Sequence, residues 1–303
     1  MDAIPPEIWS EIFSCACTDD GSTGRALSTV SRAVHTISKA SKYQSICVLG
    51  PNQLLKLFGL LSGLSPCARK VKYLFVAGLD ECAEFEEAGH GAQTIRQFYL
   101  DTKMDAVGQA LEQLLQLVSP NLVALQIHRT KVYRQSVLLE IEFPMLSELT
   151  LHGPFKSTIP RPPECLFPNL RSIHIYHFVH QPTRFLEQIV RAAPRITHLH
   201  VPQRSFSAYD IQVALGILQP IVSSSELSLP DTLQQLVIEL EPVPSSLDSW
   251  ASNIRGEQHR RKFRQISQKD ARVKLTDRRD GCIPVVEARD QWLEEFRCPW
   301  WAT

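Results

Sequence analysis

Apolar side chains at the start of the chain fall into two stripes. Ile8, Ile12 and Cys15 recur at helical spacing, and Trp9, Phe13 and Ala16 run beside them. Pro5 and Pro6 suit a first helical turn, where a missing N–H costs nothing. Glu7 places negative charge at the positive end of that helix. One stripe can face a local core, and the other needs a separate partner. After a polar turn at 17–22, Leu27, Val30, Val34 and Ile37 again recur at helical spacing, so the opening segment predicts two or three short helices. Helices this short are marginal alone, because nucleation is costly. A module of about 45 residues also buries too little surface to be secure by itself. It is expected to dock onto another protein.

From Gly50 the pattern changes. Pro51 to Gly63 predicts a buried helix through Leu54, Leu55, Leu57, Phe58 and Leu61. A frame L-x-x-L-x-L then appears as Val71, Leu74, Val76 and returns as Leu122, Leu125, Ile127 and as Leu146, Leu149, Leu151. Further copies are Leu170, Ile173, Ile175, then Ile196, Leu199, Val201, and last Leu233, Leu236, Ile238. Pro120, Pro144, Pro168 and Pro194 each stand two residues before a copy, and the middle copies recur at about 25 residues. A strand with one apolar edge cannot bury it alone, so such strands stack in parallel over a shared core. The spacing is wider before Leu122 and before Leu233. Helices are expected at 104–119, 183–193 and 209–222, an acidic loop at 80–91, and extended connections at 129–143 and 161–163. Pro242 and Pro244 are expected to end the array, followed by a polar helix at 247–270, a strand at 272–276 and a last helix from Pro284 carrying Val286, Trp292, Leu293 and Phe296. The expected fold class is α/β: a helical module at 1–46, an irregular repeat solenoid of parallel strands with outer helices at 47–245, and a helical C-terminal cap at 246–303.

The opening residues resemble the F-box, whose first helix begins Leu-Pro-x-Glu-(Ile/Leu). Ile4, Pro5, Glu7, Ile8, Ile12 and Phe13 match that block, with Ile for Leu in first place. Leu27, Val30, Ser31 and Arg32 resemble its second block, Leu-x-x-Val-(Ser/Cys)-(Arg/Lys). Val34 stands where the family usually has an aromatic residue. The resemblance covers about the first 45 residues. It implies a trihelical module that binds the Skp adaptor subunit and, through it, a cullin–RING ubiquitin ligase. The layout as a whole is similar to fungal F-box proteins with leucine-rich-repeat-like domains.

Composition narrows the alternatives. Lys+Arg and Asp+Glu both total 32, so no global charge argues for nucleic acid or membrane. The eight cysteines include no C-x-x-C pair, and no basic-then-apolar leader precedes the charged motif. They are expected to be reduced thiols, mostly core fillers, in a cytoplasmic or nuclear protein. No apolar run reaches the ~18 residues of a membrane helix.

Side chains alternating with the frame residues point to the opposite face of the strands. On that face lie Gln126, His128, Thr150, His152, His174, Tyr176, His198 and His200, the candidate surface for a target protein. Its histidines could also make a metal or acid–base site, but a zinc site needs three or four converging ligands and a ladder along a curved sheet diverges. Arg255 to Arg279 carries many more basic than acidic residues, which suits a solvated helix face or contact with the acidic loop better than nucleic acid. No phosphate loop, nucleophile elbow or zinc-protease helix occurs. The expectation is a non-enzymatic substrate adaptor without a cofactor, acting as a monomer within a complex. Ile4, Pro5, Glu7, Ile8, Ile12, Phe13 and Val30 are the candidate Skp contacts, and a protein target is held on the repeat face. The other readings are a repeat scaffold with a vestigial F-box that serves outside ubiquitination, and a metal-dependent enzyme on the histidine ladder.

Overall fold

A computed structural model describes residues 4–79, 93–129, 141–153, 165–176, 185–203, 208–218, 229–240, 250–277 and 283–296. The chain is an α/β protein in which the strand pairings are parallel. It divides into two compact units, one of Met1–Lys131, Phe143–Leu146 and Ile283–Thr303, the other of Val132–Glu142 and Ser147–Cys282.

The first unit opens with three helices, α1 (Pro6–Ala16), α2 (Ser22–Val30) and α3 (Arg32–Ser38). Pro6 opens α1, as its fixed φ allows. Asp19 organises the turn before α2: its carboxylate accepts from the N–H groups of Gly21 and Thr23 and from the hydroxyls of Ser22 and Thr23. Burial opposes its charge, yet these bonds outweigh burial and hold its carboxyl below the usual range. Ser31 caps α3 by accepting from the Val34 N–H at 3.2 Å. Gly24 is buried where α2 meets the chain at Lys42; a Cβ there would lie 2.6 Å from the Lys42 carbonyl oxygen, so only glycine fits.

The helices lead into β1 (Ser45–Leu49), α4 (Pro51–Ser62), β2 (Tyr73–Ala77), α5 (Gln93–Val118) and β3 (Ala124–His128). β1 was not expected. Register pairs Ile46 with Leu74 and Val48 with Val76, so Tyr43, Ile46 and Val48 repeat the frame with tyrosine in its first slot. α4 is not buried all round: Leu54 and Leu61 are sealed, while Leu55 and Leu60 face solvent. α5 begins earlier than the sequence suggested, and Val107, Leu111, Leu114, Leu115 and Val118 are buried on its inner side, as expected.

The second unit holds β4 (Glu148–His152), β5 (Ser172–Ile175), α6 (Phe185–Ala192), β6 (His198–Pro202), α7 (Ala208–Ala214), β7 (Gln235–Leu240), α8 (Trp250–Lys269) and β8 (Val273–Asp277). Its strands pair in chain order, and β8 falls where the sequence placed a final strand. Every residue of the six sequence-read frames is at most 4% exposed. The prolines act in the turns that precede the strands. In Phe143 to Leu146, Phe167 to Leu170 and Ala193 to Ile196, the first carbonyl accepts from the fourth N–H at 3.3, 3.3 and 3.2 Å, with proline second. That is the turn position its fixed φ favours. The same carbonyl position then accepts twice from the next repeat: Ser147 from Arg171 and Ser172, Arg171 from Thr197 and His198, Thr197 from Gln234 and Gln235.

The expected C-terminal cap splits. α8 and β8 continue the second unit, whereas α9 (Val285–Phe296) packs with β2 and β3 in the first. It covers the strand face opposite the frame residues, where Ala288, Trp292 and Leu293 cluster with Phe75 and Ala77. The Phe75 and Trp292 rings stand 5.5 Å apart. The reason is mutual: β2 is apolar on both faces, and the inner stripe of α9 matches the face that α4 and α5 leave open. The connections expected at 80–91, most of 129–143 and 161–163, the turn at Pro242–Ser246 and the ends of three cysteine-bearing segments lie outside the described residues.

Trp292→Ala is expected to cost about 3–5 kcal/mol, as for other fully buried tryptophans. Urea unfolding followed by circular dichroism checks this; a loss under ~1 kcal/mol would mean that α9 merely rests on the strands.

Candidate functional site

Two surfaces come from the sequence reading: the N-terminal helices, in the first unit, and a strand face whose candidate residues are divided between the two units. On α1 the two stripes part company. Ile4, Ile8 and Ile12 are 42%, 46% and 46% exposed, while Phe13 is 5% exposed. Trp9 packs against Phe13 with ring centroids 5.5 Å apart, so this stripe faces the local core. Ile8 and Ile12 stand one turn apart on one side of α1, and Ile4 is exposed just before the helix begins. Pro5 and Glu7 are exposed beside them, and Val30, at the end of α2, is 64% exposed. Six of the seven candidate docking residues therefore reach solvent, and Phe13 belongs to the protein's own interior. Val34 is buried at 3%, so the departure from the family's aromatic falls inside the module.

Around this ledge the polar contacts are local. The Ser14 hydroxyl donates to Gln44 Oε1 at 2.7 Å, and Gln44 Nε2 donates back to the Ser14 carbonyl at 2.8 Å. The Ser45 hydroxyl donates to the Asp19 carbonyl. These bonds tie the end of α1 and the turn before α2 to the start of β1, which fixes the angle at which the isoleucines are presented.

The second surface is the strand face opposite the frame. In the first unit it is closed. Gln126 and His128 are buried under α9: Gln126 Nε2 donates to the Ala288 carbonyl at 3.5 Å, and His128 Nε2 donates to the Ile283 carbonyl at 2.7 Å. These two residues hold a helix of their own chain and do not offer a surface to a target. The signal was present in the sequence as the unbroken apolar run from Tyr73 to Ala77, which marks a strand buried on both faces.

In the second unit the candidate residues converge. His152, itself buried, stacks on Tyr176 with centroids 4.1 Å apart and planes 1° from parallel. His200 meets Tyr176 edge-on at 5.0 Å and His174 at 5.7 Å. His174 and His200 are register partners, so strand pairing sets their separation. The Ser172 hydroxyl and His174 Nε2 are hydrogen-bonded at 2.9 Å. Thr150 lies beside His174 and is partly exposed, and His198 is exposed and hydrogen-bonded to Thr197 at 2.9 Å. Burial, and then the neighbouring His174, push the His200 imidazole down to about 4. Burial, and then His198, lower His174 as well. Both rings are therefore neutral at physiological pH. Among the described residues no three His, Cys, Asp or Glu side chains gather as metal ligands would.

The cysteines and the basic run are placed as follows. Cys17 is buried and Cys47 half-buried, with thiols pushed up to about 11 and about 12, chiefly by burial and secondarily by Asp19 and Asp20. Cys15, Cys67 and Cys165 are exposed, and these five described cysteines are free. On α8, Phe263 and Ile266 are buried while Arg261, Lys262, Arg264 and Lys269 face solvent. Arg260 pairs with Asp277 at 3.2 Å, and Arg272 pairs with Asp270 at 2.7 Å. No described helix is long and apolar enough to cross a membrane. A comparison with protein-family models finds no match, and neither does a comparison with curated proteins.

The His200 shift carries a sign. An imidazole titrating near 6.5 unfolded and at about 4 folded binds its proton first in the unfolded chain. Its contribution is present above pH 6.5 and is lost as pH falls toward 4. The urea midpoint is thus expected to fall between pH 7.5 and pH 4.5, and to fall less in His200→Phe. An equal fall in the variant would place the sensitivity elsewhere.

Proposed function

We propose that this chain is a substrate-recognition adaptor of a Skp–cullin–F-box ubiquitin ligase. In this reading the three N-terminal helices hold the Skp subunit, and the open strand face of the second unit holds a protein target. The observation that carries the proposal is the exposure of Ile8 and Ile12 on α1, and of Ile4 just before it, while Phe13 on the helix's other side is buried. Half-exposed isoleucines in line are wasteful on a free surface. Burying each against a partner would contribute on the order of 1 kcal/mol.

Three such residues supply less than half of the roughly 8 kcal/mol that a micromolar complex requires. The partner must therefore also cover neighbouring groups, and the exposed Pro5 and Val30 are the available apolar ones. The chain itself performs no chemistry in this reading. It raises the effective concentration of the target at the ligase, so geometry replaces catalysis. The family departure at Val34 supports a vestigial module only weakly, because that side chain packs inward and leaves the isoleucine row as it is.

The test is a pull-down of the Skp subunit by the full chain and by Ile8→Asp/Ile12→Asp. Binding by the wild type and at least a tenfold loss in the variant is expected, with unchanged thermal melting because both side chains are exposed. Absence of binding by the wild type would reject the adaptor reading.

A further inference from the structure

The open face of the second unit has a chemical bias that side-chain exposure alone does not reveal. Reading the face positions strand by strand from β4 to β7 gives no lysine and no arginine. The first cation on that face is Lys274 in β8, the register partner of Val237. Two acidic residues do occupy it: Glu148 on β4, which is exposed, and the buried Glu239 on β7, one strand beyond the imidazole of His200. Between them stand the rings of Tyr176, His174 and His200, packed within 6.4 Å of one another. Neutral imidazoles offer a ring nitrogen acceptor, and the phenol and carboxylates offer further acceptor oxygens. Among the described residues, the face positions of these four strands are therefore rich in acceptors and π surface and include no lysine or arginine.

A phosphorylated segment would find no guanidinium or ammonium there, and phosphate recognition rests on such groups. The complementary side chain is one that only donates and carries positive charge. Arginine meets both conditions, with five N–H donors on a planar cation that packs against aromatic rings. We infer that the β4–β7 face binds an unphosphorylated, arginine-bearing segment of a target protein, with the guanidinium against the Tyr176, His174 and His200 rings. This rests on the reading that the face is the target site, and it adds the class of target. The depressed titration of both histidines fits it, since protonated rings would repel the same cation.

The experiment passes degenerate peptide libraries over immobilised full-length chain, each library fixed at one position as arginine, lysine, leucine, glutamate or phosphoserine. Preferential retention of the arginine library is expected, at least tenfold over phosphoserine and glutamate. Tyr176→Ala should cut that retention at least fivefold, Tyr176→Phe should keep most of it, and His200→Arg should abolish it. Circular dichroism melting of each variant separates lost binding from lost fold. Equal or stronger retention of the glutamate or phosphoserine library, or retention of none above the blank, overturns the inference. The measurement needs no Skp subunit. A chain that retains arginine peptides but not Skp rejects the ligase reading alone, and the converse result rejects this inference alone.

Discussion

The structure depends on a shortage: a short strand that, with the turn before it, puts three apolar side chains on one side cannot hide them without neighbours. Stacking parallel copies solves this, because each strand becomes the wall against which the next buries its frame. Backbone polar groups impose the same solution. The carbonyl before β4, β5 and β6 accepts from two N–H groups of the following repeat, so a one-residue slip would break the bonds and turn the apolar frame toward solvent. Register, burial and face are therefore a single decision, taken at each repeat. That is why His174 and His200 stand opposite each other on strands separated by a helix and a loop.

The strand face away from the frame has two different fates. In the first unit it carries Phe75 and Ala77, and α9 with the residues leading into it seals it through Trp292 and through the bonds of Gln126 and His128 to the Ala288 and Ile283 carbonyls. In the second unit the equivalent positions carry imidazoles, a phenol and carboxylates, of which His174, Tyr176, His198, His200 and Glu148 stay at least partly accessible. Side-chain polarity explains the difference. An apolar face gains by being covered, whereas covering neutral rings and acceptors would strand polar groups unless a donor were brought with the cover. This is the physical basis for expecting a donor-rich partner on the open face.

The N-terminal helices follow the same reasoning at smaller scale. A helix of eleven residues can bury one stripe at home, and α1 spends that capacity on Phe13 and Trp9. Its isoleucines are left over. The proposed Skp docking gives that surplus a use, and the short polar bonds at Gln44, Ser45 and Asp19 hold the helix where its exposed row is fixed relative to β1.

Much of this was legible in the residues. The L-x-x-L-x-L frame marked six of the strands and their buried side, because burial of an apolar edge is a local demand repeated many times. The two stripes of α1 announced that one would be left outside. What the sequence did not assign was which stripe, since Phe13 and Ile12 are both apolar and only packing against α3 and the start of β1 distinguishes them. β1 escaped notice because tyrosine fills the slot where the other copies carry an aliphatic residue. The separation of α9 from α8 also escaped notice, because a helix pattern states which side is apolar and says nothing of which distant surface will receive it. Local periodicity thus determined the elements and their faces. Only the folded chain decided which faces meet, for that choice depends on matching surfaces more than two hundred residues apart in sequence, as Phe75 and Trp292 are.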